Sequence, residues 1–328
     1  MLSDMLSIIF SIFSIFTVFP VDSANVVGWF NGKLEDIPNI PLVYTHLVTG
    51  YPLQFPNGSV QCNKNDTLTQ SIVQFAHTND MKVQWRCSLP HFTNVIFNNT
   101  PAHQMIINNY LDTIPRAIKE CGIDGIEIDY EWGDQSGIAK WGIINKTLAN
   151  TYTLFLQKLK TALGPESVVS ADIGSWNIPP QGYPLGFLPW VNATLLNEGA
   201  FDFVNTMSYH WDSVLQWEYD IFVMKFLWGF DLSRVNLGVP YFSMNISSLC
   251  PLHRSKPSWE SMSYLCPNVN PNINICQGIQ FVGKQMNYEI GKLAKKHGLG
   301  GLFPWTLNYD SFNDNNTLVT WLYHGFHD

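Results

Sequence analysis

The order of hydrophobic and polar positions divides the chain into two kinds of segment. Short runs of apolar and β-branched residues alternate with longer stretches in which apolar residues recur at helical spacing, as Val282, Met286 and Ile290 do. The longer stretches predict helices at 102–120, 148–163, 214–227 and 279–297. The short runs predict eight strands, at 26–30, 44–50, 82–87, 125–130, 168–173, 203–208, 235–241 and 299–305.

Eight strand-then-helix units favour an α/β fold of the (β/α)8 or TIM barrel type, with the helices outside a closed parallel barrel. An open doubly wound sheet is the alternative, but no glycine-rich phosphate loop follows the first strand. Because no linker divides the chain after residue 24, we expect a single domain over 25–328. Residues 244–277 are rich in Pro, Asn and Cys without a period, which predicts a short cysteine-containing loop between strand 7 and helix 7.

The first 24 residues have the features of a secretory signal peptide. Residues 6–19 are predominantly apolar but fall short of the roughly 20 residues that span a bilayer, and the small residues Ser23 and Ala24 follow. Asp4, with no Lys or Arg before the apolar run, leaves an uncleaved anchor as the alternative. We predict cleavage, no stable membrane span afterwards, and a protein of the secretory pathway, either extracellular or lysosomal.

Glycosylation sequons and cysteines agree with that compartment. The cysteine number, six, is even and consistent with up to three disulfides, whose pairing stays open. Three cysteines crowd the 244–277 loop, which predicts at least one bridge there. Asn-x-Ser/Thr sequons, typical of a glycoprotein, occur at Asn57, Asn65, Asn98, Asn145, Asn192, Asn245 and Asn315.

Composition narrows the choice of partner. With 46% hydrophobic and 13% charged residues the chain is not a disordered tail, and its 14% aromatic residues suit an apolar or sugar-binding cleft, or simply an aromatic core. The net charge of −8 and the lack of a basic cluster argue against nucleic acid. No CxxC or HExxH spacing is present, so we expect neither a metal nor another cofactor. We expect a monomer.

The most informative segment is the predicted fourth strand. Side chains alternate along a strand, so Glu127, Asp129 and Glu131 point one way, while the intervening residues at 126, 128 and 130 point the other. In a barrel the three carboxylates would face the lumen. Three close acids cannot all ionise, so at least one pKa is raised and one acid stays protonated near neutral pH. Glu131 falls at the end of the strand where barrel active sites open, which is a general-acid arrangement. A solvated acidic edge and a carboxylate metal site are the alternatives.

This strand resembles a known family. Residues 124–131 (DGIEIDYE) are similar to the DGxDxDxE signature of the family 18 glycoside hydrolases, the chitinases and di-N-acetylchitobiase-like relatives. Further resemblances follow in chain order over about residues 25–325. They are VVGWF at 26–30, YTHL at 44–47, MSY at 207–209, LGVPY at 237–241 and GGLFPW at 300–305.

The resemblance implies a role for each matching residue. Glu131 would protonate the glycosidic oxygen, Asp129 would orient the substrate's acetamido group, and Glu127 would share a proton with Asp129. Tyr209 would donate a hydrogen bond to the acetamido carbonyl, which itself attacks the sugar, so the configuration is retained. The resemblance also assigns residues to substrate binding, with Trp305 as the floor under the −1 sugar. They are Trp305, Met207, Trp29, Trp132, His210 and Asp124.

Three positions depart from the family pattern. Glu127 stands where Asp or Asn is usual, a tolerable change because the longer side chain keeps the proton-sharing partner of Asp129. His210 stands where Asp is common, which puts the pH optimum and the −1 contacts in question. Residues 86–89 (RCSL) replace an SxGG turn, and their bulk would reshape one side of the cleft.

We therefore predict a hydrolase of β-1,4-linked N-acetylglucosamine in chitin, chito-oligosaccharides or the chitobiose core of N-glycans. A catalytically silent chitinase-like lectin is the alternative, and Glu131, the acid that silent members typically lose, argues against it. An endo-N-acetylglucosaminidase acting on glycoproteins is a third possibility.

Overall fold

A computed structural model of the protein describes residues 24–88, 93–97, 100–130, 139–140, 143–174, 190–210, 213–245, 250–251, 274–311 and 317–328. The predicted signal peptide, apart from Ala24, lies outside these ranges, as do the catalytic candidate Glu131 and the substrate-binding candidate Trp132.

Eight parallel strands form the closed barrel that the sequence pattern predicts. They follow chain order around the barrel, which closes where Asn25 of the first strand pairs with Gly301 of the last. Each strand end lies within two residues of its predicted position. The strands are β1 (Asn25–Trp29), β2 (His46–Thr49), β3 (Lys82–Ser88), β4 (Gly125–Asp129), β5 (Val168–Ile173), β6 (Phe203–Thr206), β7 (Val235–Pro240) and β8 (Gly301–Trp305).

Amphipathic helices pack around the barrel, and their ends have local causes. The Asp66 carboxylate accepts a hydrogen bond from the Thr69 N–H at the start of the first helix, and Gly122 ends the second in the left-handed region, at φ 68°. The longer helices are α1 (Thr67–Thr78), α2 (Pro101–Cys121), α3 (Lys146–Leu163), α4 (Val214–Phe222), α5 (Lys284–His297) and α6 (Leu318–His327). Shorter helical segments are Leu34–Asn39, Thr93–Phe97, Ala193–Asn197, Val223–Leu227, Leu232–Arg234 and Leu307–Tyr309.

The segment after β7 corrects one predicted boundary. Helix α5 begins at Lys284 and not at residue 279, because Ile279–Gln280 is a strand of a small antiparallel sheet. Gln277 and Gly278 both have positive φ, which is the type I′ geometry that closes a two-residue hairpin. The order in this sheet is Cys250–Pro251, Met244–Asn245, Ile279–Gln280, Ile275–Cys276, so part of the predicted loop is folded. Two-stranded hairpins also occur at Leu53–Gln54 with Val60–Gln61 and at Ala139–Lys140 with Ile143–Ile144.

The cysteines form fewer bridges than the upper limit of three. Cys62 and Cys121 are joined, which ties the segment before α1 to the end of α2, and Cys276 is also disulfide-bonded. Cys87 is a free thiol buried on β3, where its sulfur accepts a hydrogen bond from the Tyr110 hydroxyl at 3.5 Å. With one of the six thiols free, at most two bridges form within the chain.

Across the described ranges, every helix is too short or too polar to cross a bilayer.

Candidate active site

The barrel lumen holds the acidic side chains of β4. Ile126, Ile128 and Tyr130 join the core that includes the helices, and the Tyr130 ring lies 5.1 Å from the ring of Tyr152 on α3. Glu127 and Asp129 therefore point to the inside of the barrel, where Glu127 is fully buried and Asp129 is partly exposed. The alternation inferred from the sequence is the alternation found in the strand.

The neighbour that matters most to Glu127 is Asp172 on β5. Burial raises the pKa of Glu127 well above its ordinary value, the negative charges of Asp172 and Asp129 raise it further, and the positive charge of Arg86 lowers it. Burial and the two neighbouring carboxylates therefore favour the protonated, neutral form of Glu127.

Two asparagines form a hydrogen-bonded chain that ends on the carboxylate of Asp172. Asn205 on β6 donates an N–H to Asp172 Oδ1 at 3.1 Å, and Asn236 on β7 donates to Asn205 Oδ1 at 2.9 Å. The Asn205 N–H aimed at Asp172 stabilises the ionised form of Asp172, which favours a proton on Glu127 over one on Asp172. The relay runs through neighbouring strands, because Asn205 is in register with both Asp172 and Asn236.

An aromatic cluster forms the wall of the barrel mouth. Trp305, the last residue of β8, is partly exposed, and its ring lies 6.2 Å from that of Tyr209 and 6.3 Å from that of Trp29. Phe242 and Tyr309 complete the cluster, at 5.3 and 5.9 Å from Trp305. The structure thus brings together three of the predicted site residues and adds two rings that the sequence did not single out.

Met207 and His210 flank Tyr209 at the carboxyl end of β6. Met207 is buried, and its N–H donates to the Ile173 carbonyl at 2.7 Å. The His210 ring is buried, with Nε2 only 2.7 Å from Asp220 Oδ2 on α4, and it meets the Trp217 ring edge-on at 5.1 Å. With Nε2 engaged by Asp220, only Nδ1 of His210 remains for a substrate.

Asp124 does not belong to this site. It precedes β4, so it lies at the amino end of the strand, opposite the mouth. Its Oδ2 accepts the Val83 N–H at 2.7 Å and lies 2.8 Å from His77 Nε2 of α1. The carboxylate links β3, β4 and α1, and we remove Asp124 from the substrate-binding set.

Glu131 and Trp132 lie outside the described residues, so the structure gives no position for either. Leu89, the last residue of the RCSL segment, lies outside as well. Arg86 is described: it crosses the mouth towards β1, with its guanidinium carbon 4.9 Å from the ring centroid of Trp29.

Sequence reasoning missed Asp172, Asn205 and Asn236. The signal was present, because each is a polar residue inside a strand predicted from its apolar residues, and Ser170 and Asp172 alternate with apolar residues on the same strand. What the sequence did not show was that these three side chains form a hydrogen-bonded chain from β7 through β6 to Asp172 on β5, the strand next to β4.

Comparisons with known proteins agree with this architecture. A sequence model described as Glycosyl hydrolases family 18 matches residues 26–310. A comparison with curated protein sequences gives no match.

Solved structures with the same fold include chitinases and a lectin. A chitinase from Bacteroides thetaiotaomicron is 18% identical with a TM-score of 0.68, covering 92% of this chain and 96% of that chain. A family 18 chitinase from Flavobacterium johnsoniae is 16% identical with a TM-score of 0.67, covering 93% and 94%. A chitinase-like agglutinin from Robinia pseudoacacia is 15% identical with a TM-score of 0.65, covering 92% and 99%.

At 15–18% identity, the likeness to these solved structures supports only the barrel fold. The family match, in contrast, is a sequence match that spans residues 26–310. The chain belongs to family 18 of the glycosyl hydrolases.

Proposed function

We propose that the protein hydrolyses β-1,4-linked N-acetylglucosamine glycosides with retention of configuration, using the substrate's own acetamido group as nucleophile. One observation carries the proposal: a carboxyl pair, the buried Glu127 with its raised pKa and Asp172, that lies beside Asp129 in the barrel lumen. Such a pair keeps a proton available next to the acid that must respond as charge develops on the substrate.

Glu131 is the general acid and base of the proposed reaction. It transfers its proton to the glycosidic oxygen as the bond to the anomeric carbon breaks and the acetamido carbonyl oxygen bonds to that carbon. The product of this step is a cyclic oxazolinium ion. The Glu131 carboxylate then removes a proton from water, which attacks the anomeric carbon and opens the ring.

Asp129 and Tyr209 orient the acetamido group. Asp129 accepts a hydrogen bond from its N–H and stabilises the positive charge that develops there, while Glu127 shares its proton with the carboxyl groups around it. The Tyr209 hydroxyl donates to the attacking carbonyl oxygen. Both the contact between the rings of Tyr209 and Trp305 and the exposure of Trp305 at the mouth suit a floor beneath the −1 sugar.

The experiment is hydrolysis of 4-methylumbelliferyl N,N′-diacetylchitobioside by the purified full chain between pH 3 and 8. We expect turnover by the native protein and a loss of about 10²–10⁴ in rate for Glu131→Gln. Glu120→Gln, the same change at an exposed position on α2, is the control and should leave the rate unchanged. Equal rates for the native protein and Glu131→Gln would remove Glu131 from its role.

A chitinase-like lectin is the second candidate function. Its support is His210 in place of the family's common Asp, together with the resemblance to the agglutinin. It predicts saturable binding of chito-oligosaccharides without turnover at any pH. An endo-N-acetylglucosaminidase would instead release glycans from a glycoprotein, which substrate profiling detects.

The remaining proposals concern the whole chain. We propose removal of residues 1–24, a single catalytic domain over 25–328, glycosylation in the secretory pathway and a monomeric protein. Mass spectrometry of the secreted protein reads the new amino terminus and the occupied sequons, and light scattering reads the oligomeric state.

A further inference from the structure

Arg86 lies at the barrel mouth, where its charge lowers the pKa of Glu127, but the proposed hydrolysis assigns it no contact with the substrate. It is in register with Glu127 on the neighbouring strand, so its side chain starts on the lumen face of β3. The guanidinium then extends to the carboxyl ends of β1 and β2, where its carbon lies 4.9 Å from the ring centroid of Trp29 and 4.5 Å from that of Tyr51.

Two aromatic rings hold the guanidinium in place. Trp29 is buried and packs against Phe303 and Trp305, whereas Tyr51 is 46% exposed. Cation–π contacts of this kind use the flat face of the guanidinium and leave its N–H edge available.

The N–H edge of Arg86 has no acceptor within the described part of the chain. No carboxylate or carbonyl oxygen there is hydrogen-bonded to the guanidinium, and no carboxylate lies within the 4.0 Å of an ion pair. Arg234 is different, since its guanidinium donates to the carbonyls of Phe201 and Asp202 at 3.3 and 3.2 Å. Arg234 thus contributes to the fold, whereas Arg86 is partly exposed and keeps its donors for another molecule.

The chemistry of that molecule follows from the group and its surroundings. A fixed planar guanidinium binds carboxylate or sulfate oxygens with two parallel hydrogen bonds. The protein carries a net charge of −8, and the lumen below holds Asp129 and Asp172, so an anionic glycan would be repelled from the mouth unless a cation were placed there.

We propose that Arg86, held between Trp29 and Tyr51, forms a subsite for an anionic group, a carboxylate or a sulfate ester, on an N-acetylhexosamine glycan. The class of glycan rests on the proposed function, whereas binding of the anion does not require turnover. The protein would then prefer acidic N-acetylhexosamine glycans over neutral chito-oligosaccharides.

The test measures equilibrium binding by calorimetry in the full chain carrying Glu131→Gln, so that ligands stay intact. The three probes are chitobiose, a disaccharide of N-acetylglucosamine and N-acetylmuramic acid, and chitobiose sulfated at O6. We expect at least one anionic probe to bind about 10-fold more tightly than chitobiose, the order of one charge-assisted bidentate contact. The affinities of the carboxylate probe and the sulfated probe, compared with each other, show which of the two anionic groups the subsite prefers.

Substitution of Arg86 distinguishes direct binding of the anionic group from a general effect of the Arg86 charge on the lumen carboxylates. Adding Arg86→Gln should abolish the preference, and Arg86→Lys should keep part of it, because lysine retains the charge but not the planar fork. Arg116→Gln, the same change at an exposed position on α2, is the matched control and should leave the preference intact. If Arg86→Gln fails to fold, Tyr51→Ala at its exposed position releases one side of the clamp and should weaken the preference.

Two results would overturn the subsite. One is equal affinity for all three probes. The other is a preference that Arg86→Gln leaves unchanged, as it would if Arg86 only offset the charge of the carboxylates below. Neither result depends on catalysis: a protein that hydrolyses nothing can still show the Arg86-dependent preference, and an active hydrolase can lack it.

Discussion

At the scale of single residues, the chemistry of the site depends on where one proton resides. Glu127 is buried and faces Asp172, whose carboxylate receives the Asn205 amide. Because the raised pKa of Glu127 belongs to the folded state, the unfolded chain releases this proton at lower pH, and the stability contributed by Glu127 falls as pH rises towards its folded pKa. The site thus keeps its proton at a cost in stability.

Substituting Glu127 by Gln tests where the proton is. The Gln amide donates a hydrogen bond to Asp172 as the protonated carboxyl does, and it has no proton to lose. We therefore expect Glu127→Gln to match the native free energy of unfolding at about pH 4, below the ordinary pKa of 4.5, and to exceed it increasingly towards pH 8, measured by urea denaturation. Glu127→Ala, which leaves Asp172 buried without that donor, should lose about 2 kcal/mol or more. A loss for Gln as large as that for Ala would mean that Glu127 is ionised.

At the scale of elements, the site depends on how closely β4 approaches β5. Gly125 is paired with Val168, and a Cβ placed on Gly125 would lie 2.1 Å from the Val168 carbonyl oxygen. The missing side chain allows the two strands to come together below Glu127 and Asp172. A side chain at Gly125 would separate the strands and with them the two carboxyl groups.

We expect Gly125→Ala to lower the free energy of unfolding by about 3 kcal/mol, because the clash is with backbone that cannot move aside. Gly298, which ends α5 at φ 69° with no described atom within 4 Å of its added Cβ, is the control. Gly298→Ala should cost about 1–2 kcal/mol, from the left-handed conformation alone. Equal losses at the two positions would contradict the close approach of β4 and β5.

At the scale of the whole molecule, a buried carboxyl links the last strand of the barrel to the last helix. Asp310 follows β8 and accepts hydrogen bonds from the backbone N–H groups of Ser311, Leu318 and Val319. Burial raises the pKa of Asp310 to about 7, although the three N–H donors and the charge of Lys284 lower it. The buried hydroxyl-bearing rings of Tyr44 and Tyr241 are its other neighbours.

This carboxyl predicts a pH dependence of stability. Its folded pKa lies above its ordinary value of 3.8, so between about pH 4 and 7 the folded state binds more protons than the unfolded state. Stability contributed by Asp310 is present below this window and is lost through it, by at most about 1.4 kcal/mol per pH unit.

Asp310→Asn should cost stability at pH 4.5, because Val319 loses its acceptor, and that cost should shrink steadily towards pH 7.5. Urea denaturation of both proteins at four pH values measures the difference. A difference that stays constant with pH would place the pKa of Asp310 in its ordinary range.

Much of the architecture is readable from the sequence because its determinants are local. The β-branched runs give all eight strand positions to within two residues, and the alternation in β4 gives the lumen face of Glu127 and Asp129. The pattern does not single out α1 or α6. It places the start of α5 too early, because the apolar residues at 279–282 fit a helical face and a hairpin equally well.

Contacts between residues on strands that are distant in sequence could not be predicted from the sequence, because they form only when the barrel closes. The pairing of Glu127 with Asp172, the asparagine relay and the clamp on Arg86 each join residues from separate strands or their loops. The same holds for errors: Asp124 looks like part of the acidic motif in sequence, yet it binds the Val83 N–H at the opposite end of β4, and Cys87 counts towards an even set of cysteines yet is buried and free.

The sequence by itself therefore determined the eight strands, the faces of the acidic strand and the family, because periodicity and short motifs are properties of neighbouring residues. The tertiary structure alone decided which carboxyl groups lie together, which rings meet at the mouth and that Cys62 pairs with Cys121. Those outcomes depend on distance, burial and register between strands, and closing the barrel is the step that sets all three.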